Sequence, residues 1–185
     1  MKMESMPKAA VEVDLVPYQP EYLPLFVEWR TQPLSLRHNP LLPLNQEEIA
    51  RMLESEGSDL AVLNRFPSYI WFVLWKKQPV GSVRLKNISH SMGYAEIGYG
   101  IAEAHHGKGL ATAAISRLID KVFRETPLRK LVALVDVDNS ASRRVLTKLG
   151  FREEGLLREH YVIQGRPVDE IFYGLLKHEW QERSV

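Results

Sequence analysis

The chain has 185 residues, with 24 lysines and arginines against 23 acidic residues and no cysteine. This length is enough for one domain with a substantial core, and we expect a single domain over 1–185. The balanced charge gives no reason to expect nucleic acid or a membrane surface as a partner. The lack of cysteine excludes disulfides, thiolate metal sites and a cysteine nucleophile.

The beginning of the chain also indicates where the protein works. The segment MKMESMPKAAVEVD lacks the apolar stretch of a signal peptide. No apolar run is long enough to cross a bilayer. We therefore expect a cytoplasmic protein, either monomeric or a homodimer.

The N-terminal part predicts one strand and two helices. The alternation of VEVDLV predicts a strand over 11–16, and the spacing of apolar residues predicts a helix over 20–30. A loop is predicted over 31–44 because prolines interrupt it, namely Pro33, Pro40 and Pro43. A helix over 45–55 follows, with Asn45 and Glu48 in a capping-box arrangement.

The rest of the chain alternates between predicted strands and helices. Strands are predicted over 69–76, 80–88, 93–101, 131–137, 151–162 and 168–176, and helices over 109–125 and 139–150. The order is βααβββαβαββ, with a parallel βαβ unit over 93–137. We therefore predict an α/β (α+β) fold with a mixed, mostly antiparallel central sheet and flanking helices.

A glycine-containing loop separates the strand predicted over 93–101 from the helix predicted over 109–125. In EIGYGIAEAHHGKGLATAAI, residues 96–115, Gly107 and Gly109 stand where the helix begins. The first N–H groups of a helix have no intrahelical partner and carry a partial positive charge. A close backbone approach at the glycines makes this junction a candidate anion site, although the glycines alone also suit an ordinary tight turn.

Three kinds of phosphate ligand compete for this loop. A nucleotide P-loop requires a Lys-Ser/Thr pair, but Leu110 lies two residues after Lys108. A dinucleotide fingerprint requires a third glycine where Thr112 stands, although Asp136 or Asp138 is available to end the next strand. The diphosphate of coenzyme A is the third possibility.

The loop and two later segments resemble one family. His106 to Ala111 is similar to the Gln/Arg-x-x-Gly-x-Gly/Ala diphosphate loop of the GNAT superfamily of acyl-CoA N-acyltransferases, with His106 departing at the first position. DNSASRRVLTKLGF and EGLLREHYVIQGRPVDEIFYGLL are similar to the subgroup that acetylates the N-terminal amines of ribosomal proteins. The resemblance covers most of residues 70–176.

This resemblance implies a set of acetyl-CoA-binding residues. The strand before the loop, at Tyr99, Gly100 and Ile101, should splay from its neighbour and offer free amides to the thioester, although its glycines also suit a bulge. The loop itself and the start of the next helix should contribute the remaining contacts, from His106, Gly107, Lys108, Gly109, Leu110, Ala111, Thr112, Asn139 and Ser142. Asn139 also suits the capping position of its helix.

The resemblance also implies direct transfer within a ternary complex. Glu96 is the predicted base, acting directly or through a water, while an ordinary solvent-facing carboxylate is the alternative. Many members carry a tyrosine acid where Leu146 stands, so the resemblance points to Ser142 as the acid instead. The six histidines show no metal-ligand spacing, and we predict no metal site.

The implied acceptor is a primary amine. An α-amine, with a pKa of about 7.7–8.0, is far more often neutral at pH 7 than a lysine-type amine, with a pKa of about 10.4. A protein N-terminus is therefore the first expectation, and a polyamine or antibiotic the second. Segments 31–44 and 45–55 should form one wall of the acceptor site. Tyr161, Asp169 and Tyr173 on the terminal hairpin are further candidates to line it, although at least some of these alternate strand residues should belong to the core or the surface. A nicotinamide oxidoreductase and a non-catalytic CoA-binding domain are the competing hypotheses.

Overall fold

The computed structural model describes residues 11–39 and 41–183. Its strands are β1 Asp14–Val16, β2 Tyr69–Trp75, β3 Gln78–Ser89, β4 Tyr94–Ile101, β5 Lys130–Asp136, β6 Arg152–Ile163 and β7 Arg166–Leu176. Its α-helices are α1 Leu23–Thr31, α2 Pro33–His38, α3 Gln46–Glu54, α4 Leu110–Glu125, α5 Ser140–Leu149 and α6 Lys177–Glu182. Short 3-10 turns precede α1, β2 and the glycine loop, at Pro20–Tyr22, Leu60–Val62 and Glu103–His105.

The strands form one sheet in the order β1-β2-β3-β4-β5-β7-β6. Neighbouring strands pair antiparallel except β4 and β5, which are parallel and joined by α4. The predicted mostly antiparallel sheet with one parallel βαβ unit is therefore confirmed. Because a dinucleotide-binding fold is built on a parallel sheet, this topology argues against the oxidoreductase hypothesis.

Each face of the sheet is covered by its own apolar cluster. Helix α4 buries Leu118 and Ile119 fully against one face, where α5 contributes Leu146. Helices α1 and α3 cover the opposite face around Phe72. Alternate residues of a strand therefore face different helices. This alternation decides on which face of the sheet each polar side chain of the candidate site lies.

The structure corrects the prediction for residues 31–44. Helix α2 occupies Pro33–His38, and the proline that was expected to break the chain is instead its first residue. Proline suits this position because the N–H that it lacks would have no partner there. The last helix, α6, was not predicted at all.

The predicted capping box at the start of α3 is confirmed, and a tight turn joins the last two strands. Asn45 and Glu48 form the reciprocal capping box of α3. Gln164 and Gly165 turn between β6 and β7 with φ values of 51° and 77°. The two glycines of β4, Gly98 and Gly100, form no bulge against β3, because the β3–β4 register runs without interruption from Gly81↔Ile101 to Lys86↔Glu96.

Candidate active site

The parallel strands β4 and β5 are paired over only part of their length and then separate. They pair only from Tyr94↔Lys130 to Glu96↔Val132. From Ile97 to Ile101, β4 keeps its partner β3 on one side but has no strand partner on the side of β5. The predicted splay is therefore present, and it frees backbone groups in the middle of the sheet.

The glycine loop lies at the end of this unpaired segment. Gly107 and Gly109 both have left-handed backbone conformations, with φ values of 74° and 80°. Gly109 is the N-cap of α4, whose first intrahelical bond is donated by the N–H of Ala113. Within residues 11–39 and 41–183, no acceptor is found for the N–H groups from Gly107 to Thr112. These free donors, together with the helix dipole, suit a diphosphate.

Two side chains of the loop are bound to its own backbone. The Nε2–H of His106 donates to the carbonyl of Ile101 at 2.7 Å, and Nζ of Lys108 donates to the carbonyl of Ala104 at 2.9 Å. Lys108 also lies 5.5 Å from the ring centroid of Trp75. Both residues therefore brace the loop, while the amides remain available to an anion.

His105, next to them, faces inwards. Its ring meets Trp75 edge-on, and its Nδ1 is a buried atom with no hydrogen-bond partner among the described residues. Burial, and then the charge of Lys108, lower the pKa of His105. It is therefore held in the neutral form and adds no positive charge to the loop.

A cavity of about 120 Å³ occupies the gap between the splayed strands. Its lining comes from both faces of the sheet. Tyr99, Asn139 and Ser142 approach from the α5 face. From the opposite face come His38, Asn39, Lys86, Glu96, Tyr161 and Glu170, with Asp136 at the end of β5. Two reactants entering from opposite faces would meet in this cavity.

Glu96 is buried in this cavity, with 5% of its surface exposed. Its Oε1 forms an ion pair with Nζ of Lys86 at 2.9 Å, and its Oε2 accepts a hydrogen bond from Nδ2 of Asn87 at 2.6 Å. It is thus not the solvent-facing carboxylate of the alternative interpretation. Because both oxygens have partners, its role as a base stays a prediction.

The residues at the start of α5 cap the helix and line the cavity. Oδ1 of Asn139 accepts the N–H of Ser142 at 3.1 Å, so the predicted cap is present. The hydroxyl of Tyr99 donates to the carbonyl of Ser142 at 3.3 Å. Burial raises the pKa of Tyr99 to about 12, which keeps this hydroxyl protonated near neutral pH. The roles of Asn139 and Ser142 toward acetyl-CoA remain predictions.

Sequence reasoning missed a pair of residues in the cavity. Nδ1 of His38, the last residue of α2, lies 2.6 Å from Oδ2 of Asp136 at the end of β5. A second such pair joins Nδ1 of His160 to Oε2 of Glu170 at 2.7 Å. Burial, and then the neighbouring charge of Glu96, raise the pKa of Glu170, while the bond and charge of His160 oppose them.

The predicted acceptor wall is only partly present. Residues 31–44 supply His38 and Asn39, but no residue of α3 lines the cavity. Tyr161 lines it as predicted. Tyr173 is buried under α4 and α5 and bonds to Glu153, so it is one of the hairpin residues that belong to the core. Asp169 instead accepts the N–H of Glu159.

Neither a membrane span nor a metal cluster is found in the described part of the chain. None of its helices is both long enough and apolar enough to cross a membrane. No group of three or more His, Asp or Glu side chains among residues 11–39 and 41–183 is placed to hold a metal ion.

Two bacterial relatives are similar in sequence. The N-acetyltransferase p20 of Bacillus licheniformis, described as uncharacterized, is 29% identical over 83% of this chain and 86% of its own length. YdaF of Bacillus subtilis, described as a putative ribosomal N-acetyltransferase, is 40% identical over 55% of each chain. The chain thus matches most of p20 and about half of YdaF.

The fold and a family model lead to the same family. Spermidine N-acetyltransferase from Vibrio cholerae, solved with CoA and spermine, superimposes with a TM-score of 0.79 at 24% identity, covering 91% of this chain and 98% of that one. Residues 12–152 match the model of the acetyltransferase (GNAT) domain. The chain therefore belongs to the GNAT acetyltransferases, the enzymes that use acetyl-CoA to acetylate amines.

Proposed function

We propose that the protein transfers the acetyl group of acetyl-CoA to the α-amine of a polypeptide N-terminus. The observation that carries the proposal is the cavity in the splayed sheet, which lies between the unpaired segment of β4 and the start of α5 on one side and a group of buried carboxylates on the other. The donor would bind along β4 with its diphosphate at the amides of residues 107–112. The amine would approach from the α2 face.

The charge of the acceptor side suits a single ammonium group. Among the described residues, three carboxylates line the cavity, from Glu96, Asp136 and Glu170. Lys86 offsets one of them, so the net charge is −2 when the neighbouring imidazoles of His38 and His160 are neutral. A polyamine with three or four positive charges would find too few carboxylates here, because buried charges must be paired.

The rim of the cavity suits a polypeptide. Leu34 and Leu36 on α2 are 43% and 40% exposed. They adjoin the lining residue His38 along the chain, and Nε2 of Gln164 donates to the carbonyl of Leu36 from the β6–β7 turn. Such an exposed apolar rim is typical of a surface that binds another chain. It would contact the residues that follow the N-terminal amine.

The cavity residues divide between the two reactants. Glu96 supplies a fixed negative charge that attracts the ammonium group. The unpaired backbone of Ile97 to Ile101 supplies donors for the acetyl oxygen, on which negative charge develops during attack. Ser142, at the start of α5, is the proposed proton source for the departing thiolate.

The acceptor class is tested by thiol release from acetyl-CoA with three acceptors. These are a lysine-free decapeptide with a free N-terminus, a decapeptide with a blocked N-terminus and one lysine, and spermidine. We expect kcat/KM for the first to exceed both others by about tenfold or more, since its amine is more often neutral. A higher kcat/KM for spermidine would overturn the acceptor class, and no thiol release with any acceptor would overturn the activity.

The apolar rim is tested with a matched pair of variants. Leu36→Ser should raise KM for the free decapeptide about three- to tenfold, since burying part of a leucine is worth about 1 kcal/mol. Met92→Ser is the control, because Met92 is also an exposed apolar residue, at 62%, but lies in the β3–β4 turn. Equal KM values for the two variants would remove the rim from acceptor binding.

A further inference from the structure

We propose that His38 is the group that removes a proton from the acceptor amine, and that Asp136 orients it. The proposal rests on the proposed function and names a catalytic residue that lies outside every segment of resemblance found in the sequence. Asp136 fixes the imidazole of His38, Nε2 of His38 has no bonded partner, and both residues line the cavity.

The bonding of Asp136 fixes the hydrogen on His38. Oδ1 of Asp136 accepts the backbone N–H of Asp138 at 2.9 Å, and Oδ2 faces Nδ1 of His38 at 2.6 Å. An ionised carboxylate only accepts hydrogen bonds, so Nδ1 must be the protonated nitrogen. In neutral His38 the lone pair then lies on Nε2, the nitrogen that a base would use.

The second ring nitrogen has no competing partner. Among the described residues, no hydrogen bond to Nε2 of His38 is found. This atom is also not one of the fully buried polar atoms that lack a partner, so it stays accessible. The side chains of His38 and Asp136 are only 10% and 7% exposed, yet both line the cavity. Glu96 differs in this respect, because Lys86 and Asn87 occupy both of its oxygens.

Several contacts fix the helix that carries His38. The N–H of Leu34 donates to Oε1 of Glu103 at 2.8 Å, and Oε1 of Gln32 accepts the N–H of Glu103 at 3.0 Å. Gln164 in the β6–β7 turn holds the carbonyl of Leu36. The helix is therefore held by two separate parts of the chain, and Asp136 holds the imidazole from a third. Proton transfer at a fixed distance requires such positioning.

The proposed step converts an ammonium and a thioester into an amide, a thiol and a released proton. Nε2 of His38 takes one proton from the ammonium, and the freed nitrogen lone pair forms the N–C bond to the acetyl carbon. The C–S bond breaks with its electron pair on sulfur. The nitrogen loses a second proton, so that one of the two protons ends on the thiol and the other passes to solvent.

The charged and titratable groups around His38 come from every strand that lines the cavity. Asp136 is its direct partner, while Glu96, Lys86 and Glu170 face it from β4, β3 and β7. Tyr99 and Tyr161 also line the cavity, and His160 is bonded to Glu170 beside it. The pH profile will therefore report on the whole cluster, and the assignment needs variants that change one group at a time.

The kinetic test uses variants that preserve the local bonds. His38→Asn keeps a donor toward Asp136 but removes Nε2, and His90→Asn, at an exposed turn, is the control. With the free decapeptide, His38→Asn should lower kcat about 100-fold or more and alter its pH dependence, while acetyl-CoA affinity stays within about twofold. Asp136→Asn should lower kcat less and shift the profile. A kcat for His38→Asn within about threefold of wild type would overturn the proposal.

A second measurement needs no acceptor, so it separates this proposal from the proposed function. Long-range ¹H–¹⁵N spectra of the protein, assigned with His38→Asn, report which ring nitrogen carries hydrogen. We expect a protonated Nδ1 and an unprotonated Nε2 at pH 8. Hydrogen on Nε2 at that pH would overturn the role of His38 as a base, even if the enzyme acetylates the decapeptide.

Discussion

Replacing Gly107 by alanine separates the folding role of the diphosphate loop from its binding role. Gly107 has a φ of 74°, and an added Cβ would meet no atom within 4 Å. The whole cost to the folded state is therefore the left-handed backbone, about 1–2 kcal/mol for a residue with a Cβ. For a chain of this size that corresponds to a fall in Tm of about 2–8 °C.

Gly165 provides a control with the same backbone strain. Its φ is 77°, and no atom lies within 4 Å of an added Cβ. It turns between β6 and β7, away from the diphosphate loop. Gly107→Ala and Gly165→Ala should therefore destabilise the protein by similar amounts in thermal unfolding monitored by circular dichroism.

The two variants should differ in acetyl-CoA binding measured by calorimetry. A methyl group at residue 107 would stand where a phosphate must approach the backbone, and losing one charge-assisted hydrogen bond costs about 1.5–3 kcal/mol. We expect Kd to rise about 10- to 100-fold for Gly107→Ala and to stay within about twofold for Gly165→Ala. Equal Kd values for the two variants would refute the assignment of the loop.

Three further predictions concern the loop and the buried carboxylates. Gly109→Glu adds left-handed strain and a negative charge to the start of α4, and acetyl-CoA binding should become undetectable by calorimetry; affinity within threefold of wild type would contradict this. Glu96→Gln removes the negative charge that attracts the ammonium group, so kcat should fall about tenfold or more at unchanged acetyl-CoA affinity, since a charge-assisted hydrogen bond is worth about 1.5–3 kcal/mol; a wild-type rate across pH 6–8 would exclude Glu96 from the chemistry. The raised pKa of Glu170 means that the folded protein holds its proton more tightly than the unfolded chain, so this stabilising contribution is complete below the ordinary value of 4.5 and is lost as the pH rises through the folded-state pKa. Denaturant unfolding from about pH 4 to 7 should therefore show a flatter profile for Glu170→Gln than for wild type, and parallel profiles would contradict the raised pKa.

The parts of the site that the sequence predicts are those formed by neighbouring residues. The β4–loop–α4 junction is continuous in the chain, and left-handed glycines, a helix start and free amides all follow from residues 96–115. The cap of α5 is equally local, since Asn139 and Ser142 are three residues apart. Local physical chemistry alone specifies such features.

The acceptor side could not be predicted because it depends on contacts between distant residues. His38 and Asp136 are 98 residues apart in the chain. The proline signal placed His38 in a loop, although Pro33 actually begins α2. A signal was nevertheless present, since a proline after Gln32 also suits the first turn of a helix.

The partners of Glu96 depended on strand register. Lys86 and Glu96 lie directly opposite each other on β3 and β4, which places both side chains on one face. The sequence predicts strands over 80–88 and 93–101 but not their register, because the residues between them specify no turn type. The burial of Glu96 and its two occupied oxygens therefore became clear only from the three-dimensional structure.

The central claim is that the free amides from Gly107 to Thr112 bind the diphosphate of the acetyl donor. Amide ¹H–¹⁵N spectra recorded during titration test it directly, with acetyl-CoA as the ligand and acetyl-pantetheine, which lacks the diphosphate, as the control. We predict that acetyl-CoA moves these six amide signals most, and that acetyl-pantetheine leaves them in place while moving signals of Ile97 to Ile101. Saturation by acetyl-CoA with the six signals unmoved would contradict the account.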